Sequence, residues 1–115
     1  MRLSVLLLLV ALTACSLWRG TSSNETANGG REVLRLGCGS CHTIPGVVGA
    51  HGKVGPSLEG IATRSYVAGD LPNQRPNLEH WIQHPHSVHP DTLMPELAVT
   101  DAEAREIATF LYSLK

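Results

Sequence analysis

The pentapeptide Cys38-Gly39-Ser40-Cys41-His42 is the most informative stretch of the chain. Its two thiols lie three residues apart, so each can add to one vinyl group of a single haem. The histidine that follows is then held under the iron and can ligate it. Cys-x-x-Cys-His is the sequence signature of covalent c-type haem attachment. The pattern therefore predicts one haem c, bound covalently by Cys38 and Cys41, with His42 as the proximal iron ligand.

Three other uses of this cysteine pair fit the chain less well. A redox-active disulfide needs Cys-x-x-Cys beside a βαβ pattern, and no such pattern follows. A structural zinc site needs four ligands, whereas only two cysteines lie beyond residue 15. A plain disulfide between Cys38 and Cys41 leaves His42 without a role. Covalent haem attachment is the interpretation that uses all three residues.

The composition favours a small domain built around a cofactor. The 115 residues include 11 Gly and 7 Pro, but only 2 Trp, 2 Tyr and 1 Phe. A buried porphyrin would add the apolar bulk that such a small core needs. Residues 31–115 carry seven Lys or Arg and nine Asp or Glu. Because this balance leaves no basic patch, we expect no nucleic-acid partner.

The first fourteen residues have the layout of a secretory signal. Met1-Arg2 gives a positive start, Leu3–Ala11 is almost wholly apolar, and small residues precede Cys15. The apolar run is much shorter than the ~20 residues that span a bilayer. Leu12-Thr13-Ala14-Cys15 resembles the lipobox of bacterial lipoproteins, which implies cleavage before Cys15 and lipidation of its thiol. The alternative is an ordinary signal peptide, cut nearby, with Cys15 incidental.

Residues 15–30 are expected to form a flexible tether between lipidated Cys15 and a haem domain at 31–115. The segment is polar and rich in small residues, a composition typical of flexible linkers. Two or three acyl chains would hold the protein stably, since a single chain holds only marginally. The predicted location is a bacterial cell membrane, with the lipid-anchored haem domain on its periplasmic or extracellular side.

The segment after the haem motif resembles class I cytochromes c. Gly55-Pro56-Ser57-Leu58-Glu59-Gly60, followed by Arg64, matches a Gly-Pro-x-Leu-x-Gly pattern and arginine of that family. The resemblance implies that the Pro56 carbonyl accepts a hydrogen bond from the ring N–H of His42, which would fix its tautomer and raise its basicity. It also implies that Leu58 packs on the porphyrin and that Arg64 lies near a propionate. The alternative for Arg64 is a solvated surface charge.

The loop that ends at Met94 extends the resemblance. In class I cytochromes c this loop starts with a proline and has a second proline followed by x-Thr-x-Met, and residues 85–94 have the same spacing. The resemblance implies Met94 as the second axial ligand, with Thr92 beside it in the haem site. Trp81 is expected on the distal side of the haem. Five histidines compete with Met94 for the iron, although none repeats a ligand motif: His51, His80, His84, His86 and His89.

The resemblance implies an all-α class I cytochrome c fold, with about three to five short helices and loops wrapped around one covalently attached haem. From the residues, Arg31–Leu36 is a short helical candidate. Asn77 can cap a helix over residues 78–83.

The last part of the chain is expected to be helical. Thr100-Asp101-Ala102-Glu103 is a capping box that opens a helix through Lys115. In the family this terminal helix crosses the first one, so Phe110 or Tyr112 is expected to meet the glycines near Arg31.

This ligand set predicts an electron carrier and not an enzyme. With both axial positions filled, the iron can only change between Fe(II) and Fe(III), and His/Met ligation raises its reduction potential. The methionine loop and terminal helix also resemble those of the single-haem c domains of caa3-type bacterial oxidases. We therefore expect a carrier in a respiratory chain, serving a terminal oxidase, with a cytochrome bc-type complex as another partner. The alternatives are the electron-accepting subunit of a membrane dehydrogenase, and a sensor or peroxidase-like enzyme in which Met94 leaves the iron.

Overall fold

A computed structural model describes residues 23–115. The predicted signal peptide and the lipidation site at Cys15 lie outside the described residues. Within residues 23–115, no helix combines the length and the apolar character needed to cross a membrane. The elements, in chain order, are α1 (23–35), α2 (Arg75–Gln83), α3 (Pro85–Val88) and α4 (Asp101–Leu111), with 3-10 turns at Cys38–Ser40 and Ile61–Thr63 and strands β1 (Tyr66–Val67) and β2 (Leu71–Pro72). The expected helical class is confirmed, with one small antiparallel hairpin in addition.

Helices α1 and α4 cross at two glycines of α1. A Cβ added at Gly29 would lie 2.0 Å from the carbonyl oxygen of Glu106. A Cβ at Gly30 would lie 3.3 Å from the ring of Phe110. The expected contact of Phe110 with these glycines is therefore confirmed. Tyr112 packs elsewhere, because its hydroxyl donates to Oδ1 of Asn73 at 2.9 Å.

Helix α1 includes residues that the sequence assigned to the tether. Residues 23–30 are helical, so the boundary expected at residue 30 falls inside α1. Gly29 is buried against α4, and Nδ2 of Asn28 donates to Oε1 of Glu106 at 2.8 Å. Small polar residues here permit a close helix crossing, and this tertiary contact overrides their weak helix propensity.

Helix α4 begins at the predicted capping box. Oγ1 of Thr100 accepts from the backbone N–H of Glu103 at 3.3 Å, and the Glu103 carboxylate accepts from the backbone N–H of Thr100 at 2.8 Å. The helix ends at Leu111, earlier than the predicted Lys115. Its buried face follows the helical period and forms the core with α1 and α2: Val33, Leu78, Ile82, Ala104, Ile107, Ala108 and Leu111.

Helix α2 begins earlier than the sequence suggested. Its N-cap is Gln74, and a proline occupies the first turn, where a missing N–H costs nothing. The prediction that Asn77 caps this helix is wrong. Asn77 lies inside the first turn, and its Nδ2 donates to the carbonyl of Pro72 at 2.9 Å. The helix ends at Gln83, before Pro85, as predicted.

Candidate haem site

A cavity of about 900 Å³ lies between helices α1, α2 and α4 and the segments 37–69 and 89–99. Its volume lies near the upper end of the roughly 300–1,000 Å³ that is usual for ligand pockets. Apolar side chains from the core form most of its wall, among them Val33, Leu78, Ile82 and Ile107. Every haem-site residue predicted from the sequence also lines it: Cys38, Cys41, His42, Pro56, Leu58, Arg64, Trp81, Thr92 and Met94.

The haem-attachment motif forms a tight turn at the cavity wall. Gly37 precedes this turn with φ 72°, a left-handed conformation that glycine adopts without strain. The backbone N–H groups of Cys41 and His42 both donate to the carbonyl of Cys38, at 3.2 and 3.0 Å. Because the chain turns back on itself here, both thiols and the imidazole face one cavity.

The imidazole of His42 is oriented by main-chain atoms. Its Nδ1 lies 2.7 Å from the carbonyl oxygen of Pro56, so the hydrogen bond implied by the family resemblance is present. A carbonyl oxygen can only accept, so Nδ1 carries a proton, and in the neutral ring this leaves the lone pair on Nε2. A neutral imidazole with Nε2 unprotonated is the form that ligates iron.

Gly55 completes this arrangement, in a role that the sequence motif alone did not predict. Its N–H donates to the carbonyl of Cys41 at 2.8 Å. A Cβ at this position would lie 2.4 Å from Cε1 of His42. The glycine that starts the Gly-Pro-x-Leu pattern therefore provides room for the imidazole ring.

The two thiols of the motif are free in the structure. Burial raises the pKa of the Cys38 thiol, which is therefore neutral at physiological pH. Within the described part of the chain, no three His, Cys, Asp or Glu side chains cluster so as to hold a metal ion. The donor set thus fits thioether attachment of a haem better than a zinc site.

Arg64 is tied to its own loop. Its Nη2 donates to the carbonyl of Ser57 at 2.6 Å and to the carbonyl of Glu59 at 2.8 Å. These bonds hold the Gly-Pro-x-Leu segment in a closed turn while the side chain still lines the cavity. A fixed guanidinium in this wall is suited to pair with a propionate.

Met94 is half-buried in the cavity wall at the end of an irregular loop. Its backbone N–H donates to Oγ1 of Thr92 at 3.2 Å, and the N–H of Thr92 donates to the carbonyl of His89 at 3.0 Å. The thioether is a soft donor that suits haem iron. Trp81 lines the same cavity, with its ring edge-on to His89 at a centroid distance of 5.7 Å.

The competing histidines separate into two groups. His89 lines the cavity, and its Nε2 lies 2.8 Å from the carbonyl oxygen of Ala68. The sequence offered no signal for this bond, because its partner is a carbonyl in a distant turn. The remaining four do not line the cavity: His51, His80, His84 and His86.

Comparison with known proteins identifies the family. The family model described as cytochrome c matches residues 27–115. Cytochrome c oxidase subunit 2 of Alkalihalophilus pseudofirmus is 36% identical over 93 residues, which cover 77% of this chain and 26% of that protein. The chain thus spans about a quarter of the length of that relative. No solved structure gives a significant match. The chain belongs to the cytochrome c family, as a class I c-type cytochrome.

Proposed function

We propose that this protein is a single-haem electron carrier of a respiratory chain, held at the membrane by lipid on Cys15. Membership of the cytochrome c family implies a covalently bound haem c and electron transfer. One observation carries the haem assignment: a single cavity is lined by the two thiols of the motif, the His42 imidazole held by Pro56, and the thioether of Met94. That set is complete for one haem with both axial positions filled.

The residues around the cavity have separate roles in this proposal. When bound, haem c supplies the one-electron change between Fe(II) and Fe(III). Cys38 and Cys41 would hold it covalently, and Nε2 of His42 and the sulfur of Met94 would ligate its iron. With both residues bound to the iron, no coordination position would remain for a reactant, which favours electron transfer. The apolar wall excludes water and favours a high reduction potential.

The proposed electron acceptor is a terminal oxidase. The relative from Alkalihalophilus pseudofirmus is named as an oxidase subunit, and it supports this assignment. Lys53 and Lys115 are the two lysines of the chain, so strong steering toward an acidic partner is not expected. Tethering to the membrane would replace steering by raising the local concentration of the carrier. The alternative is the electron-accepting subunit of a membrane dehydrogenase.

Copurification tests the partner. The detergent-solubilised protein is expected to copurify with an oxidase and to be oxidised by it in stopped-flow mixing. Copurification with a dehydrogenase, and reduction by its substrate, would favour the alternative instead.

The membrane anchor is tested at Cys15. Mass spectrometry of the mature N-terminus should show acyl chains on this residue, and Cys15→Ala should release the haem protein from the membrane fraction. An unmodified Cys15 in membrane-bound protein would contradict the lipid anchor while leaving the haem assignment intact.

The axial ligand is tested by Met94→Ala. We expect this variant to keep its covalent haem and to bind carbon monoxide rapidly when reduced, whereas the wild type resists carbon monoxide near neutral pH. Glu96→Ala is the matched control, because Glu96 is two residues away, exposed and not part of the cavity wall. An unchanged oxidised spectrum in Met94→Ala would show that the ligand assignment is wrong. Rapid carbon monoxide binding by the wild type would favour a sensor or peroxidase-like enzyme.

A further inference from the structure

We propose that His89 is a positioning residue that fastens the loop carrying Met94 to the β1–β2 hairpin. The inference rests on the proposed function, because Met94 is assigned there as the second axial ligand. From the sequence alone, His89 is only one of five histidines that could compete with Met94 for the iron. Among residues 85–93 of the structure, His89 is the one whose side chain forms a hydrogen bond to the hairpin.

The contact has a defined chemistry. Nε2 of His89 lies 2.8 Å from the carbonyl oxygen of Ala68 and 3.1 Å from Oδ1 of Asp70. Both partners are acceptors, so Nε2 must carry the proton and donate. Asp70 is 73% exposed at its side chain, and a pair so exposed to solvent contributes little. The Ala68 carbonyl is therefore the principal partner.

The hairpin turn has a shape that this bond can stabilise. Ala68 has φ 52° and Gly69 has φ 90°, so two successive residues adopt the left-handed region. A non-glycine residue with positive φ is uncommon and persists where its surroundings hold it. The strands that flank the turn are two residues each, paired Tyr66↔Pro72 and Val67↔Leu71. A hairpin this short needs contacts from outside itself.

A short chain of contacts leads from His89 to Met94. The carbonyl of His89 accepts from the N–H of Thr92 at 3.0 Å, and Oγ1 of Thr92 accepts from the N–H of Met94 at 3.2 Å. On its other side, the His89 ring meets Trp81 edge-on. Residues 94–99 form no regular element. The position of the Met94 backbone therefore depends on a loop that is fastened at His89.

The expected consequence of losing this bond is a weaker hold on Met94. Removing one ordinary hydrogen bond shifts a local equilibrium by about fivefold. In His89→Leu, the fraction of reduced protein with Met94 off the iron should rise about fivefold, and the rate of carbon monoxide binding should rise with it. His89→Gln should restore most of the effect, because its side-chain N–H₂ can reach the place of Nε2–H.

The experiment compares carbon monoxide binding rates in the reduced, haem-loaded wild type and four variants. These are His89→Leu, His89→Gln, Met94→Ala and the control His51→Leu, which changes an exposed histidine outside the cavity. Rates that rise in His89→Leu, and return toward the wild type in His89→Gln, support the inference. Equal rates in His89→Leu and the wild type would overturn it, provided that Met94→Ala opens the site. If Met94→Ala changes nothing, the ligand assignment itself fails.

A second measurement needs no variant. In ¹⁵N-histidine-labelled, reduced protein, the ring of His89 should show a protonated Nε2 whose proton exchanges slowly with water. An Nε2 without its proton, or with a proton that exchanges as fast as that of His51, would overturn the inference even if His89→Leu does not fold.

Discussion

Residues 37–58 and residues 89–99 each present one proposed axial ligand, and they are held in different ways. Around His42 the main chain bonds to itself: the N–H of Gly52 donates to Gly39 at 3.0 Å, that of Gly55 to Cys41 at 2.8 Å, and that of Leu58 to Thr43 at 2.9 Å. The segment that carries Met94 is held largely through side chains. The first segment therefore depends on close packing of its main chain, whereas the second depends on individual side chains.

We expect the largest loss of stability where the main chain of residues 37–58 packs closely against itself. A Cβ at Gly52 would lie 2.4 Å from the carbonyl oxygen of Ser40, a backbone atom that cannot move aside. We expect Gly52→Ala to lower the free energy of unfolding by about 3 kcal/mol, the upper end for overpacking. Denaturant titration of the haem protein measures this.

Gly46→Ala is the control for that variant. Gly46 has φ +77° and nothing within 4 Å of its Cβ position, so it adds strain without a clash. We expect it to cost about 1 kcal/mol. Equal losses in the two variants would mean that the close packing of the His42 segment contributes nothing.

Gly55→Ala addresses the ligand itself. The new Cβ would lie 2.4 Å from Cε1 of His42, so the ring must turn away from the Pro56 carbonyl. We expect the thioether bonds to survive and the low-spin fraction of the oxidised protein to fall, as read from its absorption spectrum. Ser57→Ala, in the same segment, should leave the spectrum unchanged. A wild-type spectrum in Gly55→Ala would show that the ring does not need this space.

Thr92→Val examines the side-chain support of Met94. Valine keeps the shape of threonine but removes the Oγ1 that accepts from the Met94 N–H. The loss of about 1 kcal/mol should raise the rate of carbon monoxide binding about fivefold. Thr43→Val removes a side-chain hydrogen bond within residues 37–58, from Oγ1 of Thr43 to the Gly52 carbonyl. If both variants respond alike, the two segments are not held differently.

The smallest effect is expected at the cap of α4, outside both segments. Hydrogen bonds from the backbone and side chain of Thr100, with help from Arg35, hold the pKa of Glu103 below its ordinary value. The carboxylate therefore stabilises the fold above its unfolded pKa of about 4.3, and this contribution is lost as the pH falls through the lower folded value. Glu103→Gln should flatten the acid end of the stability curve without shifting the neutral spectrum. If the stability of Glu103→Gln falls at low pH as steeply as that of the wild type, the proposed contribution of Glu103 is contradicted.

The residues of the candidate site could be predicted because they belong to short sequence motifs. The spacing within Cys38–His42, the pattern at Gly55–Gly60 and the loop before Met94 are local, and their residues line one cavity. The spacing of residues within a motif does not depend on how the rest of the chain folds. The α4 capping box is local in the same sense, and it was found at the predicted position.

The features that the sequence did not reveal depend on distant contacts. Residues 23–30 have the composition of a linker, and they are helical where Gly29 packs on α4. The β1–β2 hairpin is too short to show a strand pattern, and the positive φ of Ala68 has no sequence signal. His89 acquires its role from a carbonyl 21 residues away. In each case, the local structure depends on residues that are distant in sequence and pack against the segment.

The crossing of Gly29 with Glu106 sets an order of events during biosynthesis. These two residues are separated by most of the domain, and loop closure over such a distance is slow relative to local turns. A growing chain can form the turn at Cys38–Ser40 early, but it cannot form the contact between α1 and α4 until residue 106 has been added. The part of the cavity wall that Ile107 and Leu111 supply is therefore completed last, after the segment that carries both thiols.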